Sequence, residues 1–210
     1  MQYSEKDVSA MDRIYRLNLI NSITGIKPGN LIGTKSKDDK SNLAIISSVV
    51  HLGSNPALLG FVMRPQQPVK HHTYQNITET GVYTINHIPN NLTERAHYTS
   101  AKFEKDVSEF AACGFTEEYV SEFSAPFVAE SEIKVSMRFT EEIHIKTNNT
   151  ILIIGAVEHI IVSNKALNND GSINLEEANS VGISGLDSYY KLNKIAAYPY
   201  ARLESLPWLS

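Results

Sequence analysis

One stretch of strict alternation constrains this chain more than any other feature. Ile133, Val135, Met137, Phe139, Ile143 and Ile145 are apolar, while Lys134, Ser136, Arg138, Thr140, Glu142 and His144 fill alternate positions. Strand side chains point to opposite faces with a period of two, so the pattern predicts one long, half-buried strand. Glu141 breaks the apolar stripe and predicts a bulge or bend there. Asn148-Asn149 then predicts a turn into 151–162, which is apolar at nearly every residue and predicts a second strand covered on both faces. Antiparallel strands of this length must not leave open edges, and closure into a barrel is one solution.

The remaining segments fit around that hairpin. Ser9-Ala10-Met11-Asp12 predicts a capped start to a leading helix whose face carries Met11, Ile14, Tyr15 and Leu19. Residues 31–34 and 42–50 flank the polar Lys37-Asp38-Asp39-Lys40, which predicts a β-hairpin, and 57–63 supplies a third strand. A helix is predicted after His72, stopped by Gly81, and followed by a strand over 82–87. Short helices are predicted over 92–99 and 107–113. Asn169-Asp170-Gly171 marks a turn. No period of 20 to 50 residues repeats, and no linker composition divides the chain. The expectation is one domain over 1–210, mainly β with short helices, its core at about 20–165 and a C-terminal segment of about 166–210 wrapping the barrel or a partner subunit.

Charge and motif content exclude several function classes. A net charge of -4 with scattered Lys and Arg argues against nucleic acid as a partner. The polar N-terminus lacks a secretory pattern and no run reaches ~18 apolar residues, so a cytoplasmic protein without a membrane span is expected. The single cysteine, Cys113, sits among apolar neighbours and reads as a buried core residue. No Gly-x-Gly-x-x-Gly occurs, and Gly33-Thr34-Lys35-Ser36 lacks the glycines of a phosphate loop. Histidine spacing offers no metal site. Glu94, Glu104 and Glu109 read as a solvated helix surface rather than an acid–base pair.

Three polar groups remain, each beside an apolar run. Ser47-Ser48 places two hydroxyls in a segment that is otherwise apolar, and these need hydrogen-bond partners. Arg64, Lys70, His72 and Thr73 lead into a helix start and combine cations, a hydroxyl and free N–H groups, a combination suited to an anion or to a basic loop with a helix cap. Tyr98-Thr99-Ser100-Ala101, followed by Val107-Ser108-Glu109-Phe110, offers hydroxyls and aromatics that could close over a flat ring or fill a core.

Taken in order, these stretches resemble one family. They are Asn42-Leu43-Ala44 leading to Ser47-Ser48, Arg64-Pro65, Lys70-His71-His72-Thr73, 80–86 from Thr80-Gly81 to Asn86, Ser100, 107–110, Ala129-Glu130-Ser131 and Ile154-Gly155-Ala156-Val157. The chain is similar there to the flavin reductase family, whose FMN-binding split β-barrel is the fold this implies. Ile45-Ile46 stands where many relatives carry Pro-Phe, and His72 where the family often has another polar residue. The resemblance implies FMN as cofactor, with Ser47, Ser48, Val49, Arg64, Lys70, His72, Thr73, Asn86, Ser100, Phe110 and Tyr189 as its contacts. It also implies NADH or NADPH as electron donor and a homodimer. No catalytic acid or base is implied, because the flavin ring carries hydride chemistry itself. The other readings are a flavin-binding carrier or sensor without turnover, and a split-barrel interaction protein that has lost its cofactor.

Overall fold

A computed structural model describes residues 1–66, 71–104 and 106–203. Two short helices lead the chain, α1 (Glu5–Ala10) and α2 (Arg13–Ser22). The cap expected near Ser9 lies elsewhere. Ser4 and Asp7 form a reciprocal capping box for α1, and the Asp12 carboxylate accepts from the N–H groups of Ile14 and Tyr15 to start α2. Five strands follow, β1 (Lys27–Pro28), β2 (Asn30–Lys35), β3 (Ser41–Ile46), β4 (Val50–Ser54) and β5 (Ala57–Met63). After them come α3 (His72–Thr80), β6 (Val82–His87), a 3-10 turn at Asn90–Leu92, α4 (Thr93–Tyr98) and α5 (Glu109–Cys113). The last strands are β7 (Glu117–Glu118), β8 (Phe127–Val128), β9 (Ile133–Ile145), β10 (Thr150–Val162), β11 (Val181–Ser184) and β12 (Ser188–Lys191).

The principal sheet has seven strands in the order β3-β2-β6-β9-β10-β5-β4. Its two edge strands, β3 and β4, are consecutive in the chain and joined only by Ser47, Ser48 and Val49. From Ile46 to Val50 the backbone reaches at most about 14 Å, four Cα steps of ~3.5 Å. The sheet must therefore curl until its opposite edges nearly meet. This is a barrel whose seam is crossed by a three-residue link, and the mainly β split barrel expected from the sequence is what the chain forms.

The interior is divided by β2, whose alternating side chains enter two cores. Ile32 joins Phe61, Tyr83, Met137 and Ile153 inside the barrel, where α3 contributes Tyr74 and Ile77. Leu31 joins Leu43 on the other face, packed under Ala96 of α4, Phe110 and Cys113 of α5, and Val181 and Ile183 of β11. α3 ends as expected at Gly81, which has φ 76°. The β9–β10 hairpin is the long pair anticipated, turning through Asn149 at φ 60°. Its register slips between Ile154 and Gly155, where the partner skips from Glu141 to Phe139, so the extra residue is Thr140 rather than Glu141 itself. The Thr140 hydroxyl donates to the Ile154 carbonyl at 3.0 Å across that bulge.

One expectation is corrected by the strand order. Pairing of β10 with β5 ends at Ala156 and Leu58, so the far half of β10 loses one neighbour and Ile160 is 63% exposed instead of covered. The C-terminal segment packs through Ala166 and Ala178 against Ile133, and through β11, which pairs with β1 on one side and β12 on the other. Beyond it Ile195, Tyr198 and Tyr200 are exposed.

At the bulge the barrel leaves no room for a side chain. A Cβ on Gly155 would lie 2.3 Å from the Tyr83 hydroxyl and 3.0 Å from the Arg138 carbonyl. That hydroxyl is buried without a hydrogen-bond partner among the described residues. Gly155→Ala is therefore expected to destabilise the fold by roughly 1–3 kcal/mol in urea denaturation. Tyr83→Phe, which removes the clashing oxygen, should recover part of that loss and be neutral or stabilising alone. Additive effects in the double variant would contradict this contact.

Candidate functional site

The seam gives β3 an outer edge with no strand beside it, and side chains satisfy its outward N–H groups one by one. In the β2–β3 ladder, Leu43 and Ile45 alternate with residues bonded to β2. The Leu43 N–H donates to Glu109 Oε2 at 3.0 Å, and the Ile45 N–H donates to Thr99 Oγ1 at 3.0 Å. Glu109 belongs to α5 and Thr99 follows α4, so the loop between the helices is tied along β3 at both ends. Glu109 is not the solvated surface carboxylate expected. It is 6% exposed, and burial pushes its carboxyl above the ordinary range although the Leu43 N–H favours the charged form.

The next outward position is Ser47, past the end of the ladder. Its half-buried hydroxyl has no hydrogen-bond partner among the described residues. Ser48 turns the other way. Its Oγ accepts from the Val62 N–H at 3.0 Å and donates to the Val62 carbonyl at 3.2 Å, stitching the link to β5. Val49 packs half-buried against the barrel core. Continuing the β4–β5 register from Val50 and Gly60 brings Arg64 level with Ile46, so an exposed guanidinium stands across the seam from the end of β3.

The start of α3 completes this corner. Asn42 Nδ2 donates to Thr73 Oγ1 at 3.0 Å and to Thr34 Oγ1 at 3.2 Å, and Asn76 Nδ2 donates to Thr34 Oγ1 at 3.0 Å. These buried bonds pin α3 to β2 and β3 with its N-terminus at the seam. His71 caps the helix without a side-chain bond to its N–H groups. Loss of water, then the charges of Arg64, His72 and Lys102, hold the His71 imidazole below its ordinary pKa. Four basic side chains from three segments thus converge, and none has an ion pair or hydrogen bond among the described residues. His72 also lines a shallow polar cleft with Lys40, Ser41, Asn42 and Asn76. A helix N-terminus with unpaired cations favours an anion.

The residues expected at a cofactor separate by position. Ser47, Ser48, Val49, Arg64 and His72 lie along the seam or at the start of α3, and Lys70 falls outside the described residues. Thr73 is there too, but its hydroxyl is buried against Asn42. Ser100 follows Thr99 and donates to the His97 carbonyl at 2.7 Å. Tyr189 reaches the same helix end from β12, its hydroxyl 3.2 Å from His97 Nδ1, and burial and then Asp187 push it up to about 12. Asn86 and Phe110 serve the framework. The Asn86 amide donates to the Leu31 carbonyl and Thr84 Oγ1 while its Oδ1 accepts from the Val128 N–H, and Phe110 is enclosed in the second core. Sequence reasoning missed Lys102 and His71 as part of the cationic corner. The Lys70-His71-His72 run was the only available signal for the latter.

The model of the flavin reductase like domain matches residues 26–175, which includes every element around the seam. The chain belongs to this family. A Shewanella frigidimarina NCIMB 400 chain, assigned as a flavin reductase with a split barrel domain, is 45% identical with a TM-score of 0.91, covering 96% of this chain and all 100% of that one. Nitrilotriacetate monooxygenase component B from Bacillus cereus shares the fold at 17% identity and a TM-score of 0.83, over 94% of this chain and 98% of its own. Flavoredoxin of Desulfovibrio vulgaris (Miyazaki F) does so at 21% identity and 0.74, over 84% and 92%. This member of the flavin reductase family is a flavin-related oxidoreductase. No helix among its described residues is long and apolar enough to cross a membrane.

Proposed function

We propose that the seam holds FMN and that the protein is a cytoplasmic, NADH- or NADPH-dependent flavin reductase acting as a homodimer. The observation that carries the reading is the convergence of Arg64, His71, His72 and Lys102, without ion pairs among the described residues, on the start of α3, with the unpartnered hydroxyl of Ser47 farther along the β3 edge. These residues fit a flavin phosphate, which needs cations and N–H donors, and a polar ring edge, which needs donors at an open strand edge. Ser47, the link backbone through Val49, Arg64, His72 and Ser100 are the groups that would hold it, with Lys70 near them in sequence. When bound, the flavin supplies hydride acceptance from the nicotinamide and electron delivery to an acceptor.

The chain's own part is to orient and to shelter. Thr99 and Glu109 fix the β3 edge so that the link enters the site at one height. Asn42 and Asn76 hold α3 against the barrel, which keeps its N-terminus pointing at the seam. A second copy is favoured by an outward row of apolar side chains across three strands. Ile143 pairs with Leu152, which pairs with Val62, and Ile143 and Val62 are exposed. The row adjoins Ser48, so a subunit seated there would border the seam. Sedimentation velocity should find one species of about twice the 23.4 kDa chain mass; a monomer at micromolar concentration contradicts that part.

A visible absorption spectrum after FMN addition and removal of excess, repeated anaerobically with NADH and with NADPH, tests the function. Flavin that bleaches rapidly with one nucleotide is the expected result. Retained flavin that stays oxidised with both would favour a carrier or sensor, and no flavin association in equilibrium dialysis would overturn the reading.

A further inference from the structure

The helices α1 and α2 are capped and fixed in place, yet neither contributes a buried residue. The Tyr3 and Tyr15 hydroxyls meet at 3.2 Å and Arg16 Nη1 donates to the Ser9 carbonyl at 3.1 Å, which joins the two helices into one unit. The Lys27 ammonium ties down its far end, donating at 2.9 Å both to the Asn21 carbonyl and to that of Gly185 between β11 and β12. Ile14, Tyr15, Leu17, Leu19, Ile20 and the C-cap Ile23 are spaced so that they point all round α2. Ile14, Tyr15, Ile20 and Ile23 are exposed. A helix apolar on every side is normally buried, and one of 10 residues is marginal in water without a packed face.

The chain offers a second uncovered apolar surface of matching size. The row of Ile143, Leu152 and Val62 continues onto β4, because Leu52 and Leu152 lean together over Gly60. A Cβ there would lie 2.9 Å from Leu52 Cδ1 and 3.3 Å from Leu152 Cδ1. Val50, Leu52, Val62 and Ile143 are all exposed on this face. The strands β4, β5, β10 and β9 are successive neighbours, so the face is about 14 Å wide at ~4.8 Å per step. α2 is about 15 Å long at ~1.5 Å per residue. The charges at the two rims are opposite. Arg13 begins α2 and Glu141 stands outward two residues before Ile143, and neither is in a salt bridge among the described residues.

We propose that α2 of one copy of the chain seats across this sheet face of a second copy, and that the exchange is reciprocal about a two-fold axis. This rests on the homodimer reading above and names the elements that meet. In a two-fold pair each chain supplies both halves of the contact, so both apolar surfaces are covered at once and assembly stops at two. A different protein bound on α2 would leave the sheet face bare.

Sedimentation velocity on two variants and their mixture tests the seating. I20E/I23E alters only α2 and L52K/I143K only the sheet face, and all four side chains are exposed in the single chain. Each variant alone should dissociate with a Kd raised at least about a hundredfold, tenfold or more at each of the two equivalent contacts. An equimolar mixture should regain the dimer, because the heterodimer keeps one contact wholly unaltered and pairs Glu with Lys in the other. Far-UV circular dichroism checks that each variant is folded; asparagine at the same positions, which leaves the expectation of one intact contact unchanged, replaces any charged variant that is not. A wild-type dimer whose dissociation is unchanged in either variant overturns the proposal and leaves α2 to its own C-terminal segment or to another protein. Two monomeric variants with no recovery on mixing also overturn it, since both surfaces would then lie in the interface without meeting. A monomeric wild-type protein overturns this seating together with the homodimer reading.

Discussion

A seven-stranded sheet whose two edges are joined by three residues has no choice but to close on itself. That constraint orders the rest of the molecule. It brings β3 and β4 to one seam, leaves the seam open by the width of the Ser47-Ser48-Val49 link, and gives β3 an edge that no strand can occupy. An open edge invites pairing with other chains, so its N–H groups must be satisfied another way. Here α4 and α5 supply a threonine hydroxyl and a buried carboxylate, at Ile45 and Leu43. The caps stop where the ladder ends, and the candidate ligand site begins at the next outward residue.

The same closure demands tight internal contacts. Gly155 sits where the Tyr83 hydroxyl fills the bulge, and Gly33 lies where a Cβ would come 2.2 Å from the Pro126 carbonyl. α3 closes the barrel from inside with Tyr74 and Ile77 while its polar side chains lock onto β2 and β3. Because that helix is fixed by buried amide–hydroxyl bonds, the cations at its start have a defined place relative to the seam. Stability and the proposed anion site thus depend on the same strands.

Much of this frame is legible in the sequence. Period-two alternation located β9, dense apolar composition located β10, and Gly81 and Asn149 marked ends that the backbone confirms with positive φ. The residues that escape are those whose role depends on strand order. Glu109 looks like any helix-surface carboxylate until Leu43 is known to lie on an edge, and Ile160 looks buried until β5 is known to stop short of it. Asn86 shows the opposite failure. The family resemblance implies it as a flavin contact, and in the structure three framework partners occupy its amide.

If the seam is the flavin site, the capped stretch of β3 is framework and the uncapped link is the ligand-facing part of the same edge. Residue-resolved amide hydrogen exchange, with and without FMN, separates the two directly. Leu43 and Ile45 should be protected in both conditions by Glu109 and Thr99, while Ser47 to Val49 and the first turn of α3 should gain protection only with FMN. Protection appearing elsewhere on the barrel, with the link and the start of α3 unchanged, would contradict the account.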